Sequence, residues 1–116
     1  MTARSRGASA LRVTDALPVF VALSDATRLR LLGRLSAEGP LSITRLREGT
    51  GVTRQAITRH LHTLGNAGLV HDAPRGRERV WALEPRRLAD ARRYLDVIAA
   101  QWDAAAERLR AFVEDT

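Results

Sequence analysis

Hydrophobic residues recur every three or four positions along the first part of the chain, which is the pattern of short amphipathic helices. The first stripe lies within residues 15–23, where Pro18 is acceptable only in a first helical turn. Asp25 suits the N-cap of a second helix, which Gly39 and Pro40 would end. The expected buried faces are Leu17, Val19, Phe20 and Leu23 in the first helix and Leu29, Leu32 and Leu35 in the second.

Two further N-cap residues, Ser42 and Thr53, predict a short third helix and a longer fourth helix, with a glycine-containing turn between them. In the fourth helix, over 53 to about 66, the hydrophobic seam is Ile57, Leu61 and Leu64. The other side is polar and basic, with Arg54, Gln55, Thr58, Arg59 and His62. A short helix, a tight turn and a helix with such an outer face are typical of a helix-turn-helix, whose second helix enters the major groove of DNA. The predicted DNA contacts of this helix are the five residues of its outer face together with Thr53.

Residues 69–83 contain two strand-like segments on either side of a basic turn. This arrangement predicts a β-hairpin. A hairpin that directly follows a helix-turn-helix is a wing, and Arg75, Arg77 and Arg79 are expected to contact the phosphate backbone or the minor groove.

Pro85 opens a long final helix in which apolar residues alternate spacings of three and four, as in a heptad seam. The stretch from Leu88 to Phe112 is roughly 36 Å long, more than a domain of this size needs for its own core. We expect its early part to pack on the first helix and its later part to pair with a second subunit, with Trp102 as an anchor. The predicted interface residues are Leu88, Leu95, Ile98, Trp102, Leu109 and Phe112.

The chain has 116 residues and a formal net charge of +6, and all of its basic residues are arginine. Two explanations of the missing lysine are codon use in a GC-rich genome and recognition of phosphate or guanine by guanidinium groups, and composition alone favours the first. Codon use does not explain where the charge lies. Residues 1–12 and 53–83 each carry +3, whereas 84–116 carry −1. This distribution favours a flexible basic arm at 1–12, a DNA-binding domain at 13–84 and a dimerisation helix at 85–116, within one compact unit.

Several kinds of chemistry are not expected. The chain has no cysteine, which excludes disulfides, zinc ribbons and thiol nucleophiles. His60 and His62 lie about 200° apart on a helix and cannot share a metal ion, so His60 is interpreted as a packing or hydrogen-bonding residue. Asp96, Asp103 and Glu107 are interpreted as a solvated face. Because no nucleophile and base are suitably placed, we expect no enzyme activity, cofactor or metal.

No apolar run approaches the roughly 18 residues of a membrane helix, and the amino terminus lacks the apolar segment of a signal peptide. We therefore expect a cytoplasmic protein without a membrane partner. No group of polar residues in the sequence points to a small-molecule inducer.

Together these segments resemble the ArsR/SmtB family of bacterial winged-helix transcription factors. Residues 22–32 resemble the start of the family's second helix, 53–61 its recognition helix, 67–70 the exit from that helix and 76–79 the wing. Residues 93–112 are similar to a branch that lacks the familiar metal ligands. The resemblance implies a homodimer that binds a pseudo-palindromic operator and usually represses.

Metal-sensing members of the family use cysteines beside the third helix, or aspartate and histidine pairs on the terminal helix. This chain has no cysteine, and no histidine follows Pro85. The resemblance therefore implies DNA binding and dimerisation without metal sensing.

The sequence thus predicts a mainly α-helical winged helix-turn-helix with a small β-hairpin and a long C-terminal dimerisation helix. The expected function is that of a homodimeric repressor bound to duplex DNA. Two alternatives stay open. One is a non-specific architectural DNA- or RNA-binding protein, and the other is a winged-helix module for protein interaction.

Overall fold

A computed structural model describes residues 13–115, and within this range the chain forms five helices and three short strands. The predicted arm at 1–12, with Arg4, Arg6 and Arg12, lies outside the described residues, as does Thr116. The elements are α1 (Val13–Leu23), α2 (Ala26–Glu38), β1 (Leu41–Ser42), α3 (Ile43–Arg47), α4 (Arg54–Asn66), β2 (Val70–Arg75), β3 (Glu78–Leu83) and α5 (Pro85–Glu114). The predicted mainly helical fold with a wing is confirmed.

The three predicted helix caps are present. The Asp25 carboxylate accepts a hydrogen bond from the backbone N–H of Thr27 at 2.8 Å and from that of Arg28 at 3.2 Å. Ser42 and Thr53 accept in the same way at the starts of α3 and α4, at 3.2 and 3.1 Å. Each cap satisfies a backbone donor that has no partner within the helix, which fixes where the helix begins.

The core lies where α1 to α4 meet one face of the sheet. Its largest fully buried side chains include Leu31, Leu46, Ile57, Leu61 and Leu64. Burying a leucine or isoleucine side chain stabilises the fold by about 1.5–3 kcal/mol. The predicted seam of α4 is confirmed, so the opposite side of this helix faces outward.

Two predictions about α1 are wrong. The helix begins at Val13, and Pro18 therefore lies inside it instead of in its first turn. Proline lacks the N–H that would bond to the carbonyl of Thr14, but both residues are exposed, so water can satisfy this carbonyl. The buried face is Ala16, Val19 and Ala22, whereas Leu17, which was expected in the core, is 50% exposed.

The predicted buried face of α2 is also shifted. Leu31 and Leu35 are fully buried, Leu32 is half-buried, and Leu29 lies largely in solvent. Leucines are so frequent in this helix that more than one face looks apolar. Packing against α4 buries the face that carries Leu31 and Leu35, which are four residues apart.

The sheet has three antiparallel strands in the order β1-β3-β2. The β2–β3 hairpin matches the predicted wing, and its turn contains Gly76 at φ 62°, a conformation that favours glycine. Strand β1, in which Leu41 pairs with Trp81 and Ser42 with Val80, was not predicted from the sequence. A strand of two residues is too short to show an alternating pattern. Its partner is forty residues away along the chain, so no nearby residue indicates the pairing either.

The long helix α5 has two halves with different surroundings. In the first half Ala91 is buried, and the ring of Tyr94 lies 6.1 Å from that of Phe20 on α1. From residue 99 to residue 115 every side chain is exposed. The predicted packing of the early part on α1 is confirmed. Across 13–115, no helix is both long and apolar enough to cross a bilayer.

Candidate nucleic-acid interface

The structure brings the predicted polar residues of α4 together on its outer surface. Arg54, Gln55, Thr58, Arg59 and His62 line one shallow concavity. Thr53 is placed differently, since its hydroxyl caps the helix and accepts the N–H of Ala56. Five of the six predicted α4 residues therefore share one solvent-facing surface.

These side chains differ in how far they are already engaged. Arg54 donates to the hydroxyl of Thr44 at 3.3 Å, and the hydroxyl of Thr58 donates to the carbonyl of Arg54 at 2.9 Å. Gln55 and Arg59 are exposed and form no side-chain hydrogen bond or ion pair within residues 13–115. Arginine can bind guanine through two hydrogen bonds, and glutamine can bind adenine in the same way. Gln55 and Arg59 therefore keep their hydrogen-bonding groups available for base edges.

The three wing arginines separate into two kinds. Arg75 and Arg77 are exposed at the hairpin tip and have no ion-pair partner in the described part of the chain. Arg79 instead pairs with Asp72 on β2, with 2.9 Å between its Nε and a carboxylate oxygen. The two tip residues are thus open to phosphate oxygens, whereas Arg79 is held along the sheet.

Arg34 fixes the relation of α2 to the helix-turn-helix, and the sequence analysis missed this role. Its guanidinium donates to the carbonyl of Arg45 at 2.7 Å and to the carboxylate of Glu38 at 2.9 and 3.2 Å. The hydrogen bond from Arg34 is the main cause that lowers the pKa of Glu38, and the same bond raises the pKa of Arg34. The i, i+4 spacing of this pair was visible in the sequence, but the bond to the end of α3 was not.

The exit of α4 is joined to the start of α5. Gly68 adopts φ 81°, and a Cβ there would lie 2.5 Å from Cγ of Arg87. The N–H of Glu84 donates to the carbonyl of Leu69 at 2.8 Å. The side chain of Glu84 also lies 3.3 Å from Nδ1 of His71. These contacts therefore hold the C-terminal end of the helix-turn-helix against the beginning of the long helix.

The three histidines lie in separate places. Nδ1 of His60 is 3.3 Å from Nη1 of Arg28, so the predicted hydrogen-bonding role of His60 is confirmed. The His62 ring lies 6.2 Å from the Trp81 ring, and His71 faces Glu84. In the range 13–115, no three or more histidine, aspartate or glutamate residues are grouped so that they could hold a metal ion.

The predicted dimer face is largely uncovered. Ile98 is half-buried within its own chain, and the other five residues are at least half exposed, with Trp102 at 74%. Two residues of α1, Leu17 and Val21, are similarly exposed one helical turn apart. Sequence reasoning missed Val21 and had placed Leu17 in the core. The signal available was the surplus of large apolar residues on a helix too short to bury them all.

Comparison with known proteins agrees with this geometry. A protein-family model described as a helix-turn-helix domain matches residues 23–73. The HTH-type transcriptional regulator Rv2034 of Mycobacterium tuberculosis is 44% identical over 75 residues, which cover 65% of this chain and 69% of that protein. An ArsR-like transcriptional regulator from Rhodococcus sp. RHA1 superposes with a TM-score of 0.75 at 33% identity, covering 85% of this chain and 92% of the other.

The chain belongs to the ArsR family of transcriptional regulators. A further structural neighbour is Mb0332 from Mycobacterium bovis, described as a homodimeric winged helix-turn-helix DNA-binding domain. It has a TM-score of 0.61 at 22% identity, with 88% of this chain and 90% of that one covered. This likeness shows the fold. This ArsR-family chain is thus a transcriptional regulator with a helix-turn-helix DNA-binding domain, and the relatives named here are regulators and not enzymes.

Proposed function

We propose that the protein is a homodimeric repressor that binds a pseudo-palindromic DNA operator through α4 and the wing. The observation that carries this proposal is the outer surface of α4, where Gln55 and Arg59 lie side by side with no competing partner in the described residues. A helix-turn-helix presents this surface to the major groove. The proposed contacts are Thr53, Arg54, Gln55, Thr58, Arg59 and His62 on α4, and Arg75, Arg77 and Arg79 on the wing.

The two sets of contacts have different roles in this proposal. Base-edge contacts from α4 select the sequence, whereas phosphate contacts from the wing position the protein on any duplex. Arg79 is already bound to Asp72 and contributes through the donors that this ion pair leaves available. The main phosphate contacts of the wing are Arg75 and Arg77.

The exposed apolar residues of α5 support pairing with a second copy. Leu88, Leu95, Trp102 and Leu109 recur at intervals of seven and face solvent in the single chain. Leu17 and Val21 of α1 are also exposed apolar residues. Contiguous exposed apolar surface of this kind marks an interface, and the homodimeric description of Mb0332 points to the same type of partner. Two copies related by a twofold axis would place their α4 helices in major grooves about 34 Å apart.

Repression follows if such a dimer covers a promoter, because the bound site is then closed to the polymerase. No metal or cofactor is required in this scheme, and no inducer is assigned. A reporter driven by the promoter of the protein's own gene would fall on expression of the wild-type protein. A rise would show activation instead.

Gel-shift titrations provide the direct test. The probe is a duplex selected by the wild-type protein from a randomised pool, and a scrambled duplex is the comparison. Arg59→Ala should weaken binding to the selected duplex by about 5- to 150-fold for each of the two half-sites, with little change on the scrambled one. Arg77→Ala should weaken both alike. Because each dimer loses two phosphate contacts, it should reduce the slope of log K against log salt by about 1.8.

Arg108→Ala is the matched control, since Arg108 is an exposed arginine on the distal part of α5. It should change neither affinity nor slope. If no duplex is preferred over any other, the protein is an architectural binder. Failure to bind any duplex would favour the protein-interaction module.

A further inference from the structure

Arg28 of α2 connects three elements through one guanidinium group. Its Nε donates to the carbonyl of Ala22 at 2.6 Å, and Nη2 lies 3.3 Å from the carbonyl of Val21, both at the end of α1. Nη1 reaches Nδ1 of His60 on α4 at 3.3 Å. The side chain of Arg28 is only 15% exposed. One side chain thus links the C-terminal end of α1 to the middle of the recognition helix.

This geometry points to one tautomer of His60, the form in which Nδ1 can accept a hydrogen bond from Arg28. A guanidinium has donors only and stays protonated in proteins, so Nδ1 of His60 must act as the acceptor. The ring is then neutral and carries its hydrogen on Nε2. A proton on Nδ1 would remove the acceptor and place a second positive charge beside Arg28.

Few other charges face this pair. The Asp25 carboxylate lies 3.9 Å from Nη1 of Arg28, and it is already engaged by the backbone at the start of α2. From α1 the contacts with Arg28 are the two backbone carbonyls. Within the described residues, no charged group of α3 or of the wing forms a hydrogen bond or ion pair with His60. Among the described residues, the Asp25 carboxylate is the acidic group that interacts with both Arg28 and His60.

We propose that Arg28 is a positioning residue for DNA binding, which holds the recognition helix against the end of α1 through neutral His60, and that protonation of His60 releases this connection. The inference rests on the proposed function, because its main readout is DNA affinity. Arg28 itself touches no DNA in this scheme. It acts by fixing the angle at which α4 presents Arg59 and Gln55.

The test measures affinity for the selected duplex at about pH 8 and about pH 5.5, the range across which histidine side chains change charge. The key variant is His60→Asn, whose Oδ1 lies near the place of Nδ1, accepts a hydrogen bond and cannot be protonated. His62 and His71 are present in both proteins, so their effects cancel in the comparison. The loss of affinity on acidification should be about fivefold or more greater in the wild type than in His60→Asn. Equal losses would overturn the proposal.

Arg28→Lys tests the other half of the pair. Lysine keeps the charge, but its single ammonium cannot reproduce the planar fork that reaches α1 and α4 together. The variant should weaken binding at pH 8 by about fivefold or more. Arg30→Lys, an exposed position two residues further along α2, should leave it unchanged. Equal behaviour of the two variants would count against the positioning role.

A measurement without DNA separates this inference from the proposed function. Nitrogen-15 NMR spectra of the histidine rings at pH 8 should show the hydrogen of His60 on Nε2, and the Nδ1 signal should shift in Arg28→Lys. A hydrogen on Nδ1 would refute the connection even if the protein binds DNA. If the expected spectrum appears but no duplex is bound, the proposed function has failed and the proposal about DNA positioning fails with it.

Discussion

The helix-turn-helix body and the distal half of α5 use the same kind of hydrophobic spacing with opposite results. In the body, Leu31, Ile57 and Leu61 are completely buried against neighbouring elements. In the distal half, Trp102, Leu109 and Phe112 are all more than 60% exposed. The spacing of apolar residues therefore does not distinguish a helical face that is buried within the chain from one that the chain leaves exposed. Body and distal half should respond differently to truncation of a large side chain.

Truncation in the body should have the largest effect. Leu61→Ala leaves a cavity in the centre of the core and should lower the free energy of unfolding by about 2–5 kcal/mol. The loss should be the same at low and high protein concentration, because the missing contacts lie within one chain. Urea titrations followed by circular dichroism measure it. Leu109→Ala is the control, because the side chain of Leu109 is exposed to solvent. An equal loss of unfolding free energy for Leu109→Ala in dilute protein would contradict the difference between the two regions.

Truncation in the distal half should act through association. Trp102→Ala should raise the dissociation constant of the dimer about 30-fold or more, as expected for a tryptophan at the centre of an interface. Sedimentation at a series of concentrations measures the shift from dimer to monomer, and affinity for the selected duplex should fall with it. Arg108→Ala should sediment like the wild type. A Trp102→Ala protein with an unchanged sedimentation profile would contradict the assigned interface.

The smallest effect concerns a helix cap within the body. Hydrogen bonds, first of all from the backbone N–H of Arg28, lower the pKa of Asp25. A carboxyl whose pKa is lower in the folded state stabilises the fold above its unfolded pKa, about 4, and this contribution is lost as pH falls through the folded value. Asn also caps helices but does not titrate in this range. The stability of Asp25→Asn relative to wild type should therefore improve slightly as pH falls from about 5 to about 2.5, measured by thermal unfolding. A constant difference would show that the cap does not contribute to the acid response.

Local features made much of the fold predictable. The caps at 25, 42 and 53 depend on contacts within a few residues, and the seam of α4 shows as a helical period within one segment. All are present as predicted. The errors arise where distant contacts decide. Strand β1 exists because Leu41 meets Trp81, and Leu31 is buried in place of Leu29 because α2 packs against α4.

The candidate site shows the same division. Periodicity alone placed Arg59 and Gln55 on the outer face of α4. It did not show that Arg79 is bound to Asp72 or that Arg34 and Arg28 serve the fold, since all arginines look alike in sequence. Side-chain partners across elements distinguish structural arginines from those that are open to DNA.

Because the end of α4 and the start of α5 are held together, a small change of angle at this junction moves the far end of the long helix a large distance. Thirty residues at 1.5 Å each extend about 45 Å, so a tilt of about 10° at Gly68 and Glu84 displaces the far end by roughly 8 Å. In a dimer that pairs through the distal ends of these helices, the opposite effect would also hold. A small displacement at the distal ends would become a fine change in the angle of the recognition helices. The spacing between half-sites that a dimer accepts would then be tuned by side chains tens of ångströms from any base pair.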